Sequence, residues 1–559
     1  MLKSFADRLA CSAFQRHLLF LTASLLTIVI IGYHFGTFDQ NIHIPFLKKY
    51  ADPALYPANE EFFALRRQHY SFFWFLFLPF YRLGVLEPTL FVVHVAATHL
   101  TFWAVWDLSL TLFGDPLAGL LTVLALIFPH IGFSSFPIFE FSLLNRTFVL
   151  PFLLWAMTLF LRGRHVWAFA LLGVLYNLHV LSVNFVLCMF LLAAALDFRR
   201  IGWRRIGLGL GVFGLGAFPV LIWRFTSPPV RLAPNPEWFS IISRGMFYHL
   251  FYFVASFPHI WLVTLAGLSA LGLFIIARRR NLSPQHDRTA TIFVSAVLII
   301  LGVQIIATYL WPVTILIQSQ IVRAGLLALI LGYVYFAGYL AMRYRTDPPG
   351  RGDFGWLMAA TVFSALPTAP LLVLAVQRWA QPGRRVLAAV SVAGMLAATF
   401  WAAFTYDLWS PGIYIYMRPT PWHEAQVWAR DNTPENAVFI TPMHLWWLYD
   451  ADWRVFSERS QVVTLSDLLE IALVPDYLDA WKQRFEVLAP GAMEQFRGDF
   501  FENLTLTSQA FYSLSADDFL RVARQYGASY LVVEKPHRYD WPVAYENRGF
   551  VVYRLPVAK

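Results

Sequence analysis

Two short stretches hold the residues best suited to chemistry. In "FDQNIHIPFLKKY" (38–50), Asp39 is followed closely by His43, Lys48 and Lys49. A carboxylate there can accept a proton from a nucleophile, and nearby cations can hold the charge that develops on an anionic leaving group. In "FPIFEFSLLNRTFVLP" (136–151), Glu140 stands in a very apolar context. Such an acid must pair or be protonated, and Arg146 is the partner at hand. His179 in "LYNLHVLS" and Arg323 in "QSQIVRAG" complete the set, since an arginine suits a phosphate through two parallel donors. Each has a plainer reading. Asp39 can be a turn acid, Glu140 and Arg146 a brace, His179 a packed polar residue, and Lys48, Lys49 and Arg323 contacts to headgroups.

The elements that must position these residues are membrane helices. The chain has 559 residues, 58% hydrophobic and 14% charged, where a soluble globule would carry about 25% charged residues. Residues 1–416 hold 29 Lys and Arg against 15 Asp and Glu, a net +14; residues 417–559 hold 14 against 19, a net −5. The basic excess therefore belongs to the apolar part, where short cytoplasmic loops collect Lys and Arg. Nucleic acid is not an expected partner, because no soluble basic face exists to carry it. The two cysteines, Cys11 and Cys188, leave the C-terminal part without a disulfide. The C-terminal part holds no G-x-G-x-x-G and no Walker A, and the chain holds no H-E-x-x-H, C-x-x-C or G-x-S-x-G, so a nucleotide loop in that part and zinc-protease, redox and serine-hydrolase chemistry anywhere lack their motifs.

A crossing needs about 20 apolar residues. Candidates are 17–36, 88–113, 116–135, 146–161, 166–181, 182–197, 204–225, 258–277, 289–309, 322–342 and 385–405. The first reads as a retained signal anchor. Basic clusters at the N-terminus and at 162–165, 199–205, 278–288, 343–351 and 378–385 belong on one side. That holds if "HYSFFWFLFLPFYRLG" (69–84) stays in the outer interface and 355–380 crosses twice as a hairpin bent at Pro367 and Pro370. The expectation is thirteen spans in the inner or plasma membrane, a cytoplasmic N-terminus and a periplasmic or extracellular C-terminal domain. Segment 37–87 is then a large first outer loop, and "EWFSIISRGMFYHLFYF" in the third an amphipathic surface helix.

Residues 417–559 read as a small α/β domain. Thr420 and Pro421 open a helix, and 437–441 is a buried strand. Residues 515–527 carry a capping box and a terminal glycine. Residues 528–535 form a strand, and 543–555 a hairpin turning near Asn547-Arg548-Gly549.

This layout resembles the GT-C superfamily of membrane glycosyltransferases, which take sugar from polyprenyl-phosphate or polyprenyl-diphosphate carriers. In that family a catalytic acid opens the long loop after the first span, and a second acidic loop follows the third. Asp39 sits in the first position, and Glu140 with Arg146 in the second. The stretch "VWARDNTPENAVFITPMHLWWLYD" (427–450) is similar to the opening of the outer domain of oligosaccharyltransferases. Trp446-Trp447-Leu448-Tyr449-Asp450 stands where they have Trp-Trp-Asp-Tyr-Gly. Protein mannosyltransferases are a more distant likeness, with Gln40 here in place of their second acid. The resemblance implies an inverting transfer from a polyprenyl-phosphate sugar donor to a protein, lipid or glycan acceptor. Asp39 and Glu140 would be catalytic, and His43, Lys48, Arg146, His179 and Arg323 would bind substrate. Metal need stays open, with magnesium or manganese as candidates. The competing readings are a lipid or solute transporter, or flippase, and a non-catalytic membrane assembly protein.

Overall fold

A computed structural model of the chain describes residues 2–57, 60–134, 137–227, 235–245, 259–346, 353–379, 384–405, 411–445 and 450–556. Residues 446–449 of the Trp-Trp stretch, 246–253 of the expected surface helix, and 347–351 and 380–383 of two basic clusters lie outside them.

A helix lies within or overlaps each of the thirteen stretches expected to cross, though several are shorter than expected. They run Ala13–Ile31, Leu86–Phe113, Pro116–Ala125, Asn145–Leu161, His165–Tyr176, Val180–Leu196, Trp203–Thr226, His259–Arg278, Asp287–Tyr309, Gly325–Thr346, Asp353–Phe363, Thr368–Trp379 and Arg384–Thr405. Among the described residues, six helical stretches are long and apolar enough to cross a membrane. Six of the others, 10 to 17 residues long, fall below the roughly 30 Å of a hydrocarbon core at about 1.5 Å per residue. Proline explains two of the shortfalls. The third helix stops at Ala125 ahead of Pro129, and 355–380 breaks between Phe363 and Thr368 around Pro367, because proline removes a backbone donor and disfavours helix just before it. Segment 69–84 folds as Trp74–Phe77 and Leu78–Arg82, neither long enough to cross.

Apolar side chains at helical spacing face outward, among them Leu18, Leu25 and Val29 on the first helix and Leu208, Leu215 and Phe225 on the seventh. Inward faces pack closely. A Cβ on Gly173 would lie 2.6 Å from the Phe213 carbonyl oxygen, so this glycine lets two membrane helices touch backbone to backbone. Asn177 seals the same crossing, donating to Gly216 O and accepting from Val220 N.

Charges sort to the two ends of the helices. Asp107 pairs with Arg162, Asp115 with Arg345 and Asp197 with Arg288, which gathers the basic clusters on one face. Helix Asn145–Leu161 begins beside Arg146 and ends beside Arg162, about 25 Å away. Asp39 follows the first helix, His179 precedes Val180–Leu196 and Arg323 precedes Gly325–Thr346. The candidate site thus lies at the face opposite the basic clusters.

The C-terminal part is built on a five-stranded sheet. After the short strands β1 (Tyr33–His34) and β2 (Ile413–Tyr414) come β3 (Val438–Ile440), β4 (Ser460–Gln461), β5 (Ala528–Glu534), β6 (Val543–Glu546) and β7 (Phe550–Arg554). The order is β4-β3-β5-β7-β6, parallel over the first three and antiparallel over the rest. Thr420 caps its helix through His423 N, and Ser515 and Asp518 form the expected capping box, closed at Gly527. Asn547 accepts from Gly549 N and Phe550 N, which sets the hairpin turn.

This sheet module shares its core with the first loop. Phe46, Tyr56, Phe62 and Phe63 are buried in one cluster with Trp481, Phe485 and Val533. Trp238, Ile241 and Ile242 of helix Pro236–Gly245 join them, and Trp238 Nε1 donates to Ile471 O. The apolar face expected to lie on the membrane surface is therefore spent on the C-terminal module.

Candidate functional site

Asp39 is placed by a folded turn rather than by a loose loop. The two-residue parallel pair β1–β2 fixes the chain leaving the first helix, and His34 N donates to Phe141 O at 2.7 Å. Gly36 and Phe38 both take positive φ, +77° and +57°. Phe38 holds a conformation unfavourable to a side chain, which marks a turn held by its surroundings. Gln40 provides part of that hold: its Oε1 accepts from Gly36 N (2.8 Å) and its Nε2 donates to Leu143 O (2.9 Å). The turn and the stretch carrying Glu140 are thereby fastened together.

Residues 40–51, expected as irregular chain, form the helix Gln40–Ala51 with Pro45 inside it. Burial of Ile44, Phe46 and Leu47 offsets the bond that the proline removes. Asp39 stands at the cap position, yet its side chain makes no cap bond. Its Oδ2 accepts instead from Arg146 Nη1. Arg146 Nε and Nη2 donate to the two oxygens of Glu140 at 2.7 and 2.6 Å. One guanidinium thus bridges two carboxylates at the first turn of a helix, where a lone cation would oppose the helix dipole. Asp39 is the most open of the three, with 21% of its side chain exposed against 11% for Arg146 and 10% for Glu140.

That open face looks into a cavity of about 460 Å³. Asp39, His43, Arg146, His179 and Arg323 all line it, so five sequence candidates from four parts of the chain converge. Glu140 sits behind Arg146, in a recess of about 50 Å³ walled by Leu150, Leu153, Phe185 and Leu326. Arg146 and Arg323 border both spaces. His179 caps its helix: Ser182 N donates to Nδ1, which leaves Nε2 as the protonated nitrogen of the neutral ring. Arg323 is presented by a 3₁₀ turn that follows Gln320 at φ +44°, and the side chain of Gln304 accepts from Ile321 N in that turn.

Lys48 does not join this cavity. Its Nζ donates to Val455 O and to Glu458 Oε1, both at 2.7 Å, so it docks the C-terminal module. Lys49 is likewise consumed by the carbonyls of Pro53 and Leu55.

Electrostatics follow from this packing. Burial alone would raise the Asp39 carboxyl, but Arg146 and Arg323 outweigh it and hold it at about 2. Burial, with His69 close by, pushes His43 down to about 3, so its imidazole is neutral near pH 7. Its ring stacks on Trp74 with centroids 5.2 Å apart.

Sequence reasoning missed Arg66, Arg224, His69 and Glu470, all on the cavity wall. His69 was absorbed into an apolar segment. Glu470 carried the same signal as Glu140, an acid inside an apolar run ("DLLEIALV"), but belonged to a module read as separate.

Among the described residues, no three His, Cys, Asp or Glu side chains converge as metal ligands. The Arg146 guanidinium fills the position between Asp39 and Glu140 that a cation bridging them would need.

Fold and site define the class as a helical membrane protein with a C-terminal mixed-sheet module closing a polar cavity at the helix ends. Residues 420–488 match the family model described as a domain of unknown function, DUF6798. The match covers the start of the C-terminal module and includes Glu470. No curated protein matches the chain.

Proposed function

We propose that the chain is a membrane glycosyltransferase that moves a sugar, with inversion, from a polyprenyl-phosphate donor to an acceptor hydroxyl or amide. The observation that carries this reading is the cavity lined by Asp39 and four arginines, Arg66 from the first loop and Arg146, Arg224 and Arg323 from the ends of membrane helices. A cation-rich cavity of this size suits a phosphate and one sugar.

Asp39 accepts the acceptor's proton as the new glycosidic bond forms. A carboxylate held at about 2 is a weak base, but a weak base suffices here. An alcohol oxygen bonding to an electron-poor anomeric carbon becomes strongly acidic, so the proton leaves late. Arg323 and Arg146 hold the phosphate as it departs. The wild-type chain should transfer labelled sugar from a synthetic polyprenyl-phosphate donor to membrane acceptors. Arg323→Ala should weaken donor binding about 10- to 150-fold, the equivalent of a charge-assisted contact worth roughly 1.5–3 kcal/mol. Unchanged donor affinity in that variant would remove Arg323 from the site.

The topology completes the proposal. The basic face is cytoplasmic, and the cavity and C-terminal module are periplasmic or extracellular. Asp353–Phe363 and Thr368–Trp379 leave that face and return to it, so their depth does not alter the side of anything that follows. A reporter fused after the last residue should be active only outside the cytoplasm; cytoplasmic activity would reverse the assignment. A transporter reading finds less support, since the paired acids Asp115 and Asp197 cap their helices and Asp107, the nearest to an exception, lies six residues from the end of Leu86–Phe113.

A further inference from the structure

We propose that His69 and Glu470 form a dyad in which Glu470 positions His69 to donate a hydrogen bond to the phosphate of a ligand in the cavity. This rests on the lipid-linked-donor reading above and adds to it a part played by the C-terminal module. His69 Nε2 and Glu470 Oε2 are 2.7 Å apart, although the two residues are 401 positions apart in the chain. Glu470 is fully buried. Its other oxygen has no hydrogen-bond partner among the described residues, so His69 is its one hydrogen-bonded neighbour there.

A buried carboxylate with a single such partner favours the imidazolium form of that partner. Burial would lower its pKa, but Glu470 and, more weakly, Asp39 raise it above the ordinary value. From the Gln40–Ala51 helix, His43 meets the ring edge-on at 5.4 Å and is neutral near pH 7; Phe46 beside it is apolar. With Nε2 engaged by Glu470, Nδ1 is the donor left for a ligand. The dyad resembles in logic any carboxylate–histidine pair, where the acid fixes the ring and its protonation. Here the acid comes from the C-terminal module and the histidine from the first loop, so docking of the module sets the charge on the cavity wall.

A raised histidine pKa gives a contact that is complete at low pH and lost as pH rises through the folded-state value. The test uses the full chain in detergent and a short-chain prenyl methyl phosphodiester, whose single charge does not change between pH 5.5 and 8.5. Dimethyl phosphate, the same headgroup without a tail, is the second arm. Wild-type affinity should fall about tenfold across this range. In Glu470→Gln the fall should move to lower pH, Glu470→Asp should restore it in part, and His69→Gln should remove the titration step. Binding of the tailed probe alone assigns a lipid ligand; equal binding of both assigns a soluble phosphodiester to the same dyad. One pH profile shared by all four proteins overturns the dyad and leaves the donor reading standing. Failure of the wild-type chain to bind either probe overturns both. If Glu470→Gln does not fold, the comparison of His69→Gln with wild type decides.

Discussion

Asp39→Asn is expected to lower sugar transfer by ~10²–10⁴-fold, the usual cost of removing a general base, while donor affinity stays near wild type. The amide matches the carboxylate in shape but cannot take a proton near pH 7. The surrounding structure should survive the change. Arg146 keeps both bonds to Glu140, and the turn is held by Gln40 and by β1 rather than by the Asp39 side chain. The measurement is single-turnover transfer beside donor binding on the same preparation. Near-normal transfer would sink the base assignment. Because the Asp39 carboxyl lies at about 2, its protonation should not produce an acid limb in the rate between pH 4 and 7. An acid limb there that disappears in Asp39→Asn would show the carboxyl titrating much higher.

Arg146→Ala should be the most destabilising single change at the site, by about 3–5 kcal/mol, because it strands two carboxylates that share one cation. Arg146→Lys should rescue little. A lysine is a point charge, and it cannot present one donor to Asp39 and two to Glu140 as the guanidinium fork does. Removing the second partner as well should recover stability, so Arg146→Met with Glu140→Met should melt above Arg146→Ala. Thermal unfolding in detergent separates these cases. A melting midpoint for Arg146→Ala equal to wild type would mean that the triad braces nothing.

How much of this could be read from the sequence depends on the residue. Asp39, Glu140 and Arg146 stood out because acids and arginines at the ends of apolar runs are costly unless used. The pairing of Glu140 with Arg146 was legible too; the contact of Asp39 with Arg146 was not, since it depends on the β1–β2 pair and on Gln40. His43 and Lys48 were taken together as cations near an acid. In a helix, Asp39 and His43 are four residues apart and share a face, while Lys48 lies about 140° round from His43. Reading 40–51 as part of an outer loop erased that distinction. Helix positions were legible from apolar runs, but their lengths were not, because apolar composition continues past Pro129 where helix cannot. Glu470 and His69 were hidden by assigning them to separate modules. The shared core of Phe62, Phe63 and Trp481 and the bonds of Lys48 to Val455 and Glu458 bring those segments together.

The pairing of Tyr33 and His34 with Ile413 and Tyr414 also dictates an order of events during synthesis. At 5–20 residues per second, the 378 residues between the two strands take roughly 20–75 s to emerge. Throughout that interval the first loop lacks the strand that anchors it and the Trp481 side of its core. Phe35, which packs on Phe456, and Phe62 and Phe63, which share a core with Trp481, are buried in the finished protein but lack those partners until then. Maturation therefore ends with its earliest loop, and a chain stalled anywhere in the membrane helices is left with a half-built chamber and sticky aromatic surface. Such a nascent form is a natural client for chaperones and membrane proteases.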